Sequence, residues 1–329
     1  MTNHNIDFSN MPAFHKITNV NLNGNASKRL FVVLRTNGCT YNGCTMCGFK
    51  QNLNNTFEIT NNKLIEQIKH CIENTDFSKN NIEQIDILTP GSFLDDHEIG
   101  NEFRIKAMQM ISRLPQIRKI FIESRTEFVD DNNLNILKNN LRKDQMIELA
   151  IGVESSNKHI RNKILKKALD WQNLEKVIQI CSYNNIGFQS YLLIKPPTLS
   201  EIDAINDAVQ SAKDIAALAN KYSVPFRIAF QPVFIARNTL LENQYNSGEY
   251  SLLNLWSVIE VIKRTYHIGT IIVGLSDENL SDNRKPISCP LCTKKLYQLI
   301  EEFNGNQDIR IFHSVSCSCN ALWEKIVNK

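Results

Sequence analysis

Apolar and polar positions along the chain fall into seven short, β-branched runs separated by amphipathic stretches. The runs are RLFVVLR (29–35), EQIDILT (83–89), IRKIFIES (117–124), MIELAIGV (146–153), IGFQSYLLI (186–194), FRIAFQP (226–232) and IGTIIVG (268–274). Stretches between them, such as NNKLIEQIKHCIEN and LLNLWSVIEVIKRT, space their apolar residues as one helix face does. Strands alternating with helices predict βαβ units and a parallel sheet. Six or seven such units without a Gly-rich dinucleotide loop predict an α/β fold of the TIM type, a full or partial (β/α) barrel, over a doubly wound sheet. Residues 1–28 are polar and rich in asparagine, and are expected to form a tail or covering segment. The barrel is expected over residues 29–275, followed by a small, metal-stapled C-terminal extension over 276–329.

Composition narrows the class. With 329 residues, 42% hydrophobic and 22% charged, the chain is long enough and apolar enough to bury a full core. A net charge of +3 does not by itself announce a nucleic-acid binder. No apolar run is long enough to span a bilayer, so no membrane partner is expected. The first residues lack a basic region followed by an apolar core, so the expected location is the cytoplasm. In that reducing compartment nine cysteines point to metal binding before disulfides.

Three of those cysteines, Cys39, Cys44 and Cys47, lie in a C-x4-C-x2-C pattern just past the first run. The C-terminal ends of barrel strands are where such folds carry chemistry. Zinc in one loop would want a fourth ligand close by, and no Cys or His follows before His70. A 4Fe–4S cluster can take three protein thiolates and leave one iron open to a small molecule. A three-thiol zinc site completed from elsewhere is the competing reading.

The stretch RTNGCTYNGCTMCGFK resembles the cluster loop of the radical S-adenosylmethionine enzymes, most of which have three residues between the first two cysteines where this chain has four. The resemblance implies that the open iron holds the amino and carboxylate groups of S-adenosylmethionine. An electron then cleaves the sulfonium to give a 5′-deoxyadenosyl radical. Met46 fills the slot that the family sets against the adenine, with Phe49 beside the same cofactor; simple core filling is the other reading of Met46. TPGSFLDD (89–96) is similar to the turn that receives the methionine amino group, which would assign Gly91 and Ser92 to the cofactor. An ordinary Pro-Gly turn explains the same residues. Glu123 and Glu154, at the ends of the third and fourth runs, could accept ribose hydroxyls or pair with an ammonium, and the neighbouring Ser155 is a further cofactor candidate. Arg125 is a candidate for the methionine carboxylate or a substrate anion, or for a Glu–Arg ion pair. Lys195, Gln231 and Arg237 follow later strands and are expected at the substrate, with Lys195 alternatively at the solvated rim.

Taken in order, LRTNGC…CTMCGF, GSFLDD, ESRTEFV, IGVESS, LLIKPPTLSE and CPLC…CSCNALW resemble the radical subunit of archaeosine synthase, related to the radical half of Elongator's catalytic subunit. The resemblance covers roughly residues 30–325. It implies a lyase that breaks a C–N bond on tRNA carrying a lysine-modified 7-deazaguanine, leaves the formamidine base, and draws electrons from a reductant such as flavodoxin or ferredoxin. The alternatives are a radical enzyme acting on a small amino-acid-like molecule and, more remotely, a non-catalytic metal-binding protein. The run 157–169 carries Lys158, Arg161, Lys163, Lys166 and Lys167, which could meet phosphates or simply solvate a helix.

Near the C-terminus, Cys289 and Cys292 form C-P-L-C, and Cys317 and Cys319 form C-S-C. Four thiols suit a closed tetrahedral zinc site, with His313 a possible substitute ligand. A second iron–sulfur cluster and four unliganded thiols are the other readings. Cys71 and Cys181 sit on apolar helical faces and are expected as buried small hydrophobes.

Overall fold

The computed structural model describes residues 8–22, 24–51, 58–277 and 280–327. Its eight strands are β1 (Phe14–Leu22), β2 (Asn25–Val33), β3 (Ile82–Leu88), β4 (Lys119–Ser124), β5 (Met146–Glu154), β6 (Gly187–Ile194), β7 (Phe226–Pro232) and β8 (Thr270–Val273). They follow one another in the sheet in sequence order, with β1 and β8 at its two ends. β1 and β2 pair antiparallel, whereas β2–β3, β3–β4, β6–β7 and β7–β8 run parallel. Helices α1 (Asn61–Glu73), α2 (Asn101–Ser112), α3 (Asp131–Asn139), α4 (Trp171–Tyr183), α5 (Glu201–Lys221), α6 (Leu240–Asn246) and α7 (Leu255–Thr265) connect the strands, and α8 (Thr293–Asn306) and α9 (Ser318–Val327) follow β8. Strand order and connectivity are those of a partial (β/α) TIM-type barrel.

All seven expected runs are strands. β1 was not expected, because residues 1–28 read as a polar tail. Its first four residues are exposed, so it carries no clear alternation of buried and solvated positions. The signal present is an Asn–Gly dipeptide in the sequence after Leu22, which favours hairpins. Gly24 has φ +88°.

Two compact units divide the chain. One comprises residues 1–42, 49–150 and 179–187, the other residues 43–48, 151–178 and 188–329. In the first unit, Leu30, Val32, Ile85, Ile87, Ile120 and Ile122 are buried with Leu64, Ile68, Phe103 and Leu134 of α1–α3. Burying each such side chain stabilises the fold by about 1.5–3 kcal/mol. Among the alternate positions, Arg29 pairs with Asp86 at 2.6 Å and Lys119 with Glu148 at 2.5 Å. In the second unit, Phe188, Leu192, Ile228 and Phe230 are buried with the long apolar faces of α5 and α7. Ser200 caps α5 by accepting from the Asp203 N–H, and Glu201 and Asp203 in its first turn suit the helix dipole.

Candidate active site

In the first unit, the loop that begins the cysteine run is fixed from behind. Leu34 N–H extends the ladder beyond β2 to Leu88 O at 2.8 Å. The Gln67 side chain of α1 accepts from Arg35 N–H at 2.8 Å and donates to Arg35 O at 2.9 Å. Gly38 has φ +94°, a conformation that strains any residue with a Cβ. Cys39 then packs on the turn after β3, where a Cβ at Gly91 would stand 2.6 Å from Cys39 Cα. Gly91 is therefore required by close approach of two backbone segments.

Ser92 is buried. Its N–H donates to Glu98 Oε2 at 2.6 Å, and its hydroxyl accepts from Arg125 N–H at 3.2 Å. Phe93 N–H donates to Glu123 O at 2.8 Å, which ties this turn to the end of β4. Arg125 is 8% exposed; its guanidinium lies 3.9 Å from the centre of the Tyr41 ring and pairs with Glu127. An Arg–Glu pair does form here, then, with Glu127 as a partner. Glu98, Tyr41 and Glu127 were not singled out from the sequence. Burial raises the Glu98 carboxyl above its ordinary range, against the lowering effect of the Ser92 N–H and the Thr36 and Thr89 hydroxyls. Phe49, half-buried, opens this unit's next segment in a short 3₁₀ turn, Gly48–Gln51.

In the second unit, Thr45 joins the basic run: its N–H donates to Leu165 O and its hydroxyl to Ile164 O, both at 3.0 Å. Met46 is partly buried and packs against the cluster of Val233, Ile235, Leu241 and Tyr250. Glu154 ends β5 at φ +69°, and Lys167 Nζ donates to its Oε1 at 2.7 Å. The pair lies over Gly152, where a Cβ would stand 2.5 Å from Glu154 Oε1. A non-glycine residue held at positive φ beside an ion pair is a strained strand end of the kind found at functional sites.

Two of the expected site residues are held within the fold. Ser155, expected beside the cofactor, is fully buried and donates to Asp207 Oδ1 at 2.8 Å, so its hydroxyl serves the fold. Burial pushes the Asp207 carboxyl up to about 6, with the Ser155 hydroxyl opposing. Lys195, expected at the substrate or the rim, is 4% exposed and turned inward. It donates to Glu201 at 2.6 Å and to Ser251 at 3.1 Å. A buried ammonium needs such a counterion, and Glu201 supplies it from the first turn of α5. Gln231, near the end of β7, is half-buried over Gly274, where a Cβ would stand 2.1 Å from its Oε1. Arg237 is exposed and pairs with Asp282.

The basic run is split by role. Arg161 is 2% exposed and donates to Ser155 O and Ser156 O at 2.8 Å and to Leu169 O at 3.1 Å. With Lys167 held by Glu154, the exposed cations of the run are Lys158, Lys163 and Lys166.

Also in the second unit, the sulfurs of Cys289, Cys292, Cys317 and Cys319 lie within 4.8 Å of one another. The closest separations are 3.5 Å for Cys289–Cys292 and 3.4 Å for Cys289–Cys317 and Cys292–Cys319. Metal–sulfur bonds of about 2.3 Å in a tetrahedron put sulfurs about 3.8 Å apart, so one ion fits this set. A cubane spreads its thiolates over separate irons and needs wider spacing. Trp256 Nε1 donates to Cys319 Sγ at 3.2 Å and Trp323 Nε1 to Ser257 Oγ at 2.8 Å, joining the quartet to α7. His313 is exposed and outside the quartet. Cys71 and Cys181 are buried, and burial pushes both thiols up to about 12. None of the nine cysteines is in a disulfide. Among the described residues, no helix is long and apolar enough to cross a membrane.

No family model matches the chain. An uncharacterized protein of Methanocaldococcus jannaschii is 30% identical over 91% of this chain and 82% of its own length. Archaeosine synthase subunit beta of Methanosarcina acetivorans is 26% identical over 93% of this chain and 87% of its own. The protein of that name in Thermococcus kodakarensis is 28% identical over 93% and 94%. Among solved structures, methylornithine synthase superposes with a TM-score of 0.52 at 13% identity, over 91% of this chain and 85% of that one. The Elp3 of Methanocaldococcus infernus superposes with a TM-score of 0.53 at 16% identity, over 73% of this chain and 59% of that one, less than two thirds of the solved protein. These relationships place the chain in one family with the Methanocaldococcus jannaschii protein and give it the fold of methylornithine synthase and Elp3.

Proposed function

We propose that the protein is a radical S-adenosylmethionine lyase that cleaves a C–N bond on a lysine-modified 7-deazaguanine in tRNA. The observation that carries this reading is the similarity, at 26–28% identity over 93% of the chain, to two proteins named archaeosine synthase subunit beta. Cys39, Cys44 and Cys47 would hold a 4Fe–4S cluster. The donor set suits it: three soft thiols outside disulfides, none fully buried, on a loop whose first cysteine is seated against a side-chain-free glycine. When bound, the cluster and S-adenosylmethionine supply the 5′-deoxyadenosyl radical.

The chain's own residues hold and shield this cofactor pair. Gly91 keeps the turn after β3 close to Cys39. Arg125 and Glu123 stand at the end of β4, with a cation and a carboxylate suited to the methionine carboxylate and the ribose. Glu154, at the strained end of β5, offers a second carboxylate. Gln231 and Arg237 are left for the substrate. Residues 29–275 act as the catalytic barrel, preceded by the covering segment 1–28, and 276–329 as an extension stapled by one zinc ion at the cysteine quartet. A flavodoxin or ferredoxin serves as reductant, in the cytoplasm.

A second reading, a small amino-acid-like substrate, is favoured by one observation: Arg161 and Lys167 are consumed inside the fold, which thins the basic run available to phosphates. Anaerobic turnover with tRNA carrying the modified base separates the two. The tRNA reading expects 5′-deoxyadenosine and the formamidine base by mass spectrometry. A competent cluster that gives no modified nucleoside from that tRNA overturns it.

A further inference from the structure

The turn after β3 carries two buried carboxylates, Glu98 and Asp95, that the reading above leaves without a role. Glu98 accepts from the Thr36 hydroxyl at 2.7 Å, Gly91 N–H at 3.2 Å and Ser92 N–H at 2.6 Å, with the Thr89 hydroxyl beside it. Asp95 accepts from the Thr40 hydroxyl at 2.5 Å and from His97 N–H at 3.0 Å. Thr36 Oγ1 in turn accepts from Gly38 N–H at 3.0 Å. One carboxylate thus grips the chain before Cys39 and the other grips the residue directly after it. Gly91 closes the third side, since a Cβ there would stand 2.6 Å from Cys39 Cα and 2.1 Å from Glu98 Oε2.

We propose that Glu98 and Asp95 are positioning residues that fix the backbone on both sides of Cys39 and so aim its thiolate at the cluster. The inference rests on the reading of Cys39 as a cluster ligand. Hydrogen-bonding partners around a ligand orient it, and their loss typically costs about 10–100-fold in metal affinity. Here they act on the ligand's backbone, so the clamp sets where the sulfur can point.

The two carboxylates differ in what they tolerate. Two of the Glu98 donors are backbone N–H groups, which can only donate. In either orientation, the amide of E98Q sets an NH₂ against one of them, a buried donor facing a donor. Asp95 faces a hydroxyl and one N–H. In D95N the Thr40 hydroxyl turns to accept, and the amide oxygen keeps the His97 N–H. The clamp survives D95N and fails in D95A.

The test is anaerobic reconstitution of the full chain as wild type, C39A, E98Q, D95N and D95A. Iron per chain, the rate of iron loss to a chelator and the spectrum of the reduced cluster are measured, with melting of each chain before reconstitution as the folding control. E98Q and D95A are expected to lose iron at least about tenfold faster than wild type and to shift the reduced-cluster signal, while D95N stays close to wild type. If E98Q does not fold, the D95A and D95N pair decides by the same readouts. Folded D95A or E98Q with wild-type loss rate and signal overturns the positioning role alone. Wild type retaining no more iron than C39A overturns the cluster reading, and the inference with it.

Discussion

Arg125 lays its guanidinium 3.9 Å from the centre of the Tyr41 ring, two residues beyond Cys39. This stack joins the end of β4 to the cysteine run and holds the arginine's plane while Glu127 takes one edge. A guanidinium over an aromatic face is worth about 0.5–2 kcal/mol, more as water is excluded.

Tyr41→Ala should therefore lower unfolding free energy by about 1 kcal/mol, and Tyr41→Phe should not. Arg125→Lys keeps the charge and loses both the planar stack and the fork, so it should raise the KM for S-adenosylmethionine more than it lowers the melting temperature. Equal KM values for Arg125→Lys and wild type would remove Arg125 from the cofactor site.

The quartet gives a second expectation. One zinc per chain should be found by metal analysis, since four sulfurs within 4.8 Å suit a single ion. Trp256→Phe keeps the ring's packing and removes the N–H donated to Cys319 Sγ. It should weaken retention of that metal by about tenfold or more in competition with a chelator. Iron with cluster absorption at this site would instead favour an electron relay.

What was legible in the sequence was what lies close together along it. The Cys39–Cys47 spacing, the seven strand runs and the two C-terminal cysteine pairs are local patterns. Glu98 was not legible because its threonine partner, Thr36, lies 62 residues away, and Asp95 reaches Thr40 across 55. In sequence the two acids look like the polar residues of an ordinary turn. The partners of Lys195 were hidden for a related reason: only folding brings Glu201 and Ser251 around it. β1 stayed hidden because its exposed first half buries no regular face.

Asp207 sets a pH dependence. Its folded carboxyl is raised to about 6 from an ordinary 3.8, chiefly by burial. The native state therefore holds this proton more tightly than the unfolded chain does. Its contribution is fully present below the unfolded value and is lost as pH rises through about 6. Asp207→Asn should abolish that loss and, at neutral pH, stabilise the protein by on the order of 1 kcal/mol. Urea midpoints measured across the acid range check it. A wild-type midpoint that rises steadily over that window, matched by the variant, contradicts the assignment.

The last expectation concerns tRNA. Five basic residues lie in the run 157–169, but the fold uses two of them: Arg161 caps three carbonyls and Lys167 neutralises Glu154. Lys158, Lys163 and Lys166 remain exposed. Thr45, between Cys44 and Cys47, bonds to Ile164 and Leu165 of the same run. Phosphates held by the exposed lysines would thus be held next to residues of the cysteine loop. Each phosphate contact contributes a slope of about 0.7–0.9 in the dependence of log affinity on log salt. Changing Lys158, Lys163 and Lys166 to Ala together should flatten the slope for tRNA by about 2–3 and leave the melting temperature near wild type. Arg161→Ala should do the reverse, with a large loss of stability, because it removes the guanidinium donor from the Ser155 and Ser156 carbonyls, while Leu169 O keeps the Asn162 amide. If the triple variant binds tRNA with an unchanged salt slope, this face does not carry the phosphates, and the small-substrate reading gains.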